Sequence, residues 1–341
     1  MSLSREYTPE ELKGLENKAN QFHKALFDNL KIDQNIITNI LINTNNEERQ
    51  IIRDKYKKTY NHPIQDDINS KLLDNNQLLH DISLNMFDTP YEYDARELKK
   101  ALSITMGGDE DIIIEIFCTR PKGYLNLVDL AYKNFFQISL REDIQNTLSK
   151  AYSQLLLAIM DIERPMEQTV SKEDIYNIAD DILKKGIKEY ANDVNLFKKY
   201  FVEKSRKDLI LISRAYNEKE NKCLYDEIFE ENVLKKSLFD DIEEEKKIRN
   251  KNIRLKKGLI YGVITPAEYF AHKCSAALTG FTSNINTLIR VLISRAEIDM
   301  NAIRDYYFKE TKNDIKKDIK NEYNCRTDKN IGKILIHFFN K

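Results

Sequence analysis

Apolar positions along most of this chain recur every three to four residues, and few stretches alternate with the period of two that a half-buried strand needs. Four runs carry the pattern most clearly: "NIITNILINT" (35–44), "DIIIEIFCTR" (111–120), "NLFKKYFVEK" (195–204) and "NTLIRVLISR" (286–295). Each has a pair of adjacent apolar positions at its centre: Ile40/Leu41, Ile116/Phe117, Tyr200/Phe201 and Val291/Leu292. Each closes on a polar residue: Thr44, Arg120, Lys204 or Arg295. With only nine glycines and six prolines in 341 residues, little interrupts the helices between these runs. The pattern predicts an all-α chain.

The runs belong to a longer repeat. Ile68, Ile144, Ile228 and Ile319 each follow an acid: Asp67, Asp143, Glu227 and Asp318. Twelve residues before each isoleucine stands a tyrosine: Tyr56, Tyr132, Tyr216 and Tyr307. The run-closing residue lies twelve further back in every case. The spacing predicts four diverged copies of one helical unit. A single unit cannot bury its apolar face alone, so the copies are expected to pack together in one composite α-domain.

Charge and composition narrow the function. Lys and Arg total 54 and Asp and Glu 55, a formal net charge of -1, which argues against a nucleic-acid partner. The sequence "DDIEEEKKIRNK" (240–251) alternates in sign and reads as a solvated helix face. The longest apolar runs, Leu155–Met160 and Leu259–Ile264, are far shorter than a membrane span. The start, "MSLSREYTPEEL", has no apolar core of a signal peptide. Four cysteines, Cys118, Cys223, Cys274 and Cys325, show no CxxC spacing and fit a reduced intracellular protein. No HExxH, glycine-rich phosphate loop or nucleophile–base spacing is present, and no enzyme is expected.

Copy two contains "ITMGGDEDIIIEIFCTR" (104–120), preceded by "YDARELKKAL" (93–102), and copy four contains "LTGFTSNINTLIRVLISRAEID" (278–299). On the repeat frame these stretches resemble the annexin family, whose unit opens with a loop of the form K-G-x-G-T-D-E followed by an apolar helix ending in S/T-R. The resemblance covers almost all of the chain after about residue 15. It implies four repeats of about five helices each, packed as one slightly curved disc. The expected division is a short head at 1–15, repeats at 16–89, 90–160, 175–264 and 265–341, a polar linker at 161–174, and a charged insertion in the third repeat near 232–257. The resemblance also implies calcium-dependent, peripheral binding to acidic phospholipid at the cytoplasmic membrane surface. The rival expectation is a scaffold of the same fold, similar to the giardins, that binds cytoskeletal or other proteins with little calcium dependence.

Calcium needs six to eight hard oxygen ligands, and loop carbonyls neutralise it poorly without a carboxylate. In the family that acid lies 42 residues beyond the middle loop carbonyl. In copy four the implied ligands are Leu278, Gly280 and Thr282 with Glu322; in copy three they are Gly186, Glu189 and Ala191 with Glu231. The matching positions in copies two and one are Thr147 and Lys71, so those two copies are expected to bind calcium weakly or not at all. Glu322 and Glu231 also read as ordinary surface acids, and that alternative stands beside the ligand reading.

The loop tips between the family's glycines are Leu30, Met106, Tyr190 and Phe281. All are large, and burying apolar area in a membrane interface favours them. The other reading folds each tip back onto its own domain. Glu115 and Arg290, and Asp94 and Arg120, match positions that form charge pairs in the middle of the family's ring. A charge on an apolar helix is costly unless paired, so these four are expected to orient the repeats rather than to conduct ions.

Overall fold

The computed structural model describes residues 5–28, 31–103, 109–186, 194–220, 224, 258, 261–279, 284–326 and 329–339. The described residues are helical with no strand, the all-α class the pattern predicts. Five helices come first: α1 (Pro9–Phe27), α2 (Gln34–Ile42), α3 (Asn46–Tyr60), α4 (Ile64–Leu72) and α5 (Gln77–Phe87). Five more come next: α6 (Pro90–Ser103), α7 (Glu110–Thr119), α8 (Lys122–Phe136), α9 (Leu140–Thr147) and α10 (Lys150–Asp161). The third copy shows α11 (Lys172–Lys185), α12 (Val194–Phe197) running into a π-helical turn (Lys198–Val202), and α13 (Arg206–Glu220). The last five are α14 (Pro266–Thr279), α15 (Ile285–Arg295), α16 (Met300–Thr311), α17 (Ile315–Arg326) and α18 (Lys329–Phe338). The charged insertion expected near 232–257 lies outside the described residues.

Local chemistry sets where these helices start and stop. Thr8 and Glu11 form a reciprocal capping box, with Pro9 at the first helical position, so α1 begins well inside the segment expected as a head. Leu15, expected in that head, is 4% exposed and belongs to the core. Asn45 and Glu48 form the same box at α3. The third helix of copies one, two and four ends on a left-handed residue that is not glycine: Asn61, Gln137 and Lys312, with φ of 61°, 59° and 61°. Each donates its N–H to the carbonyl four residues earlier, which turns the chain sharply into the next helix.

The chain divides into two compact units. One joins its ends, Met1–Pro90 with Ala267–Lys341. Here α1 packs on α3, α2 packs on α18, and α5 contacts both α15 and α18. Asn330 donates to the Gln34 side chain at 3.1 Å, and Glu297 accepts from the Asn46 N–H at 2.8 Å. Fully buried Phe22, Tyr56, Phe87 and Tyr307 fill this core, and burying a large apolar side chain stabilises by about 1.5–3 kcal/mol.

The second unit, Tyr91–Pro266, is built from copies two and three around one continuous core that runs from Ala95 to Ile264. Two glycines bring the end of copy three against α7. A Cβ on Gly258 would lie 2.1 Å from the Ile114 methyl, and one on Gly262 would lie 2.9 Å from the Thr119 methyl and 3.2 Å from the Cys118 carbonyl. The connection between α10 and α11, expected as a polar linker, is tied down at two points. Arg164 donates to the carbonyls of Phe201, at 2.9 Å, and Lys204. Asp208 is fully buried and accepts from the N–H groups of Thr169, Val170 and Ser205 and from the hydroxyls of Thr169 and Ser205.

Candidate functional site

In copies one, two and four the loop between the first and second helix is closed at its base by one hydrogen bond. Asp33 N–H donates to the Ala25 carbonyl at 2.9 Å, Asp109 to Ala101 at 3.0 Å and Asn284 to Ala277 at 3.0 Å. The same three residues cap the second helix. Asp33 Oδ1 accepts from Asn35 and Ile36, Asp109 Oδ1 from Asp111 and Ile112, and Asn284 Oδ1 from Thr287. One short polar residue therefore anchors both the loop and the helix, and the three alanines are buried beneath it. Copy four closes from residue 277 to 284, one residue shorter than 25 to 33 and 101 to 109.

The candidate ligands fall around these closures. Leu278 is half-buried and directly follows Ala277. Gly280 and Thr282, in the same loop, lie outside the described residues. Glu322 is half-buried in the last turns of α17, and among the described residues it has neither an ion pair nor a hydrogen bond. That sets it apart from Asp67, Asp143 and Asp318, which are committed to tyrosines. α17 continues to Arg326, so Glu322 sits inside the helix, whereas its counterparts Thr147 and Lys71 lie at the ends of α9 and α4. In copy three, Gly186 caps α11 at φ 77°, a left-handed angle that favours glycine. Glu189, Ala191 and Glu231 lie outside the described residues, as do the tips Leu30, Met106, Tyr190 and Phe281. Among the described residues no group of three or more His, Cys, Asp or Glu side chains gathers to hold a metal.

In copy one a cation takes the carboxylate's place. The Lys71 ammonium sits 4.6 Å from the centre of the Phe27 ring, at the C-terminal end of α1 where the loop begins. In copy two, Thr147 hydrogen-bonds Asp143, which also accepts from Tyr132 and from Lys99 Nζ at 2.8 Å. Burial pushes the Asp143 carboxyl up, but these donors outweigh it and hold its pKa below the usual value. That acid is therefore already engaged.

The charged positions on the apolar helices resolve differently from one another. Arg120 donates to Asp94 through Nε at 2.8 Å and Nη2 at 3.3 Å, with Asp94 fully buried. Burial works against the guanidinium charge, but Asp94, and more weakly the fully buried Glu115 on α7, raise its pKa. Arg290, 4% exposed on α15, reaches the Thr287 hydroxyl at 3.4 Å. Glu115 and Arg290 belong to different compact units. Arg295, the copy-four counterpart of Arg120, pairs with Asp299 at 2.8 Å and lies 4.9 Å over the Phe270 ring.

Periodicity did not reveal the loop closure, the Lys71–Phe27 contact or the left-handed caps. The recurring Asp33, Asp109 and Asn284, each a good N-cap residue just before an apolar run, were the sequence signal for the first. Among the described residues, no helix is long and apolar enough to cross a membrane.

Comparison with known proteins places this geometry in a family. Residues 18–77, 93–159 and 269–326 match the family model described as Annexin. The chain is 30% identical over 275 residues to Annexin A13 of Mus musculus, covering 80% of each sequence. Its structure is similar to a solved annexin III, with TM-score 0.81, 23% identity, and coverage of 99% and 96% of the two chains. It is also similar to a solved calcium-bound annexin (Sm)1, with TM-score 0.76, 19% identity, and coverage of 98% and 92%.

Proposed function

The chain belongs to the annexin family, known for calcium-dependent phospholipid binding, and on that premise we propose that it is a peripheral protein of acidic membranes with unequal calcium loops. Copy four is the principal site: the carbonyls of Leu278, Gly280 and Thr282 and the carboxylate of Glu322 hold calcium, which bridges to lipid phosphate. Copy three contributes through Gly186, Glu189, Ala191 and Glu231. Copies one and two contribute no calcium. The tips Leu30, Met106, Tyr190 and Phe281 rest in the headgroup zone, and several weak contacts together make binding strong. The protein acts at the cytoplasmic surface and catalyses nothing. Its four repeats open with α1, α6, α11 and α14 and end near residues 89, 160, 264 and 341.

The observation that carries this reading is the closure of the copy-four loop by Asn284 and Ala277, with an uncommitted acid, Glu322, at the family's spacing. The donor set suits calcium: hard oxygens, mostly carbonyl, with one carboxylate. Lys71 over Phe27 supports the loss of the site in copy one, because an ammonium there repels a dication.

Sedimentation with phosphatidylserine vesicles tests the proposal. The protein pellets with vesicles in millimolar calcium and stays in the supernatant with chelator. Absence of calcium-dependent pelleting removes this reading and leaves the scaffold for cytoskeletal or other proteins.

A further inference from the structure

The Tyr91–Pro266 unit contains a cavity of about 370 Å³ that the calcium reading does not use. It lies where two interhelical turns, around Pro121 and Pro165, meet the ends of copy three's helices. Phe117, Ile159, Val202 and Val263 supply an apolar floor. Met166 stands at its mouth with 90% of its surface exposed.

Four cations line the same cavity: Arg120, Lys122, Arg164 and Arg206. Arg120 is answered by Asp94. The other three are turned onto backbone carbonyls. Lys122 donates to the Asp161 carbonyl at 2.7 Å, Arg164 to those of Phe201 and Lys204, and Arg206 to that of Ile264 at 3.0 Å. These carbonyls lie at or near helix C-termini, where a cation is favoured, but they carry only partial charge. Among the described residues no carboxylate pairs with Arg164 or Arg206, and Glu163 is the one acid in the lining. The cavity therefore holds an excess of positive charge above an apolar floor. Arg206 is exposed, but Arg164 is half-buried; a half-buried guanidinium without a counter-ion is costly, and an anion seated beside it offsets that cost.

We propose that this cavity binds one medium-chain fatty carboxylate, its head among Arg164, Arg206 and Lys122 and its tail over Phe117, Ile159 and Val263. The planar carboxylate matches the guanidinium fork, and the volume suits a small single-chain ligand. A two-chain phospholipid is too large for it. The site needs no calcium.

Calorimetric titration of the full chain with decanoate, in chelator and below the micelle threshold, is the test. Saturable binding of one decanoate is expected, with decanol at least about tenfold weaker because it lacks the charged acceptor, and acetate at least about tenfold weaker because it has no chain to bury on the apolar floor. Arg206→Gln lowers decanoate affinity about tenfold. Circular dichroism checks that this variant is folded. Met166→Asp touches none of the capped carbonyls, places a negative charge at the mouth, and also weakens binding. The proposal is overturned by lack of saturation, by equal binding of decanol, or by full affinity in Met166→Asp and in a folded Arg206→Gln.

Discussion

The Tyr307 hydroxyl donates to Asp318 Oδ2 at 2.8 Å, linking α16 to α17 across the turn at Lys312. Tyr56 with Asp67 and Tyr132 with Asp143 make the same bond in copies one and two. Burial first, and then the carboxylate partner, push all three phenols well above their usual pKa, so each stays a donor. Tyr307→Phe removes the donor and leaves a half-buried acceptor. It should cost about 1–2 kcal/mol, read as a lower urea midpoint with helicity unchanged.

Lys312 and Gln137 hold left-handed backbone angles where a side chain brings strain. The left-handed conformation costs an L-residue roughly 1–2 kcal/mol, while glycine adds about 0.5–1 kcal/mol of unfolded-state entropy. Lys312→Gly is therefore expected to stabilise the protein by about 0.5–1 kcal/mol, measured by thermal or urea unfolding. A loss of stability would mean that the exposed bond from Lys312 Nζ to the Lys309 carbonyl, at 2.9 Å, outweighs the backbone strain.

Arg120 and Asp94 are buried together. Arg120→Met leaves Asp94 without its cation and should destabilise by about 3–5 kcal/mol. Adding Asp94→Asn removes the orphaned charge, so the double variant should be more stable than Arg120→Met alone. Equilibrium unfolding of the single and double variants measures the coupling.

Asp208 gathers the 169–170 segment onto the start of α13. Burial pushes its carboxyl up, but the hydroxyls of Ser205 and Thr169 and the N–H groups of Thr169 and Val170 outweigh that and lower its pKa. A carboxyl whose folded pKa is depressed stabilises the fold above its unfolded value of about 3.9, and that stability is lost as pH falls through the folded value. The stability advantage of wild type over Asp208→Asn should shrink as pH falls from 6 to 3. A constant gap between their urea midpoints would exclude this contribution.

Glu322→Gln should raise the calcium needed for vesicle pelleting by at least about tenfold, since even residues that only support metal ligands commonly cost that much. Thr147→Ala should change nothing. Lys71→Glu replaces a repelling cation with an acid beside the first loop and should lower the calcium requirement. Equal responses from all three would place calcium elsewhere.

The all-α class was legible because helical periodicity is a one-dimensional property, visible wherever neighbouring positions share a face. The Tyr–acid spacing was legible for the same reason: its two ends lie on consecutive helices joined by a short turn, and the hydrogen bond in copies one, two and four explains why that spacing recurs. Glu322 could be selected from spacing once the resemblance supplied the frame. Its place inside α17 could not, because the length of that helix depends on how it packs against α18.

Packing decided the rest. Spacing alone cannot tell that Arg120 finds Asp94 while Arg295, at the same repeat position, finds Asp299 and the Phe270 ring. Nor can it tell that the two ends of the chain join in one unit through Gln34 and Asn330, 296 positions apart. Arg164 lies in the segment expected as a polar linker, and nothing in the repeat pattern singles out Arg206. They become cavity cations because folding brings them to distant carbonyls, Arg164 to that of Phe201 and Arg206 to that of Ile264. Sequence determines which residues can share a helix face. Only the folded chain determines which helix ends meet, because that depends on side-chain volumes from distant segments filling one core.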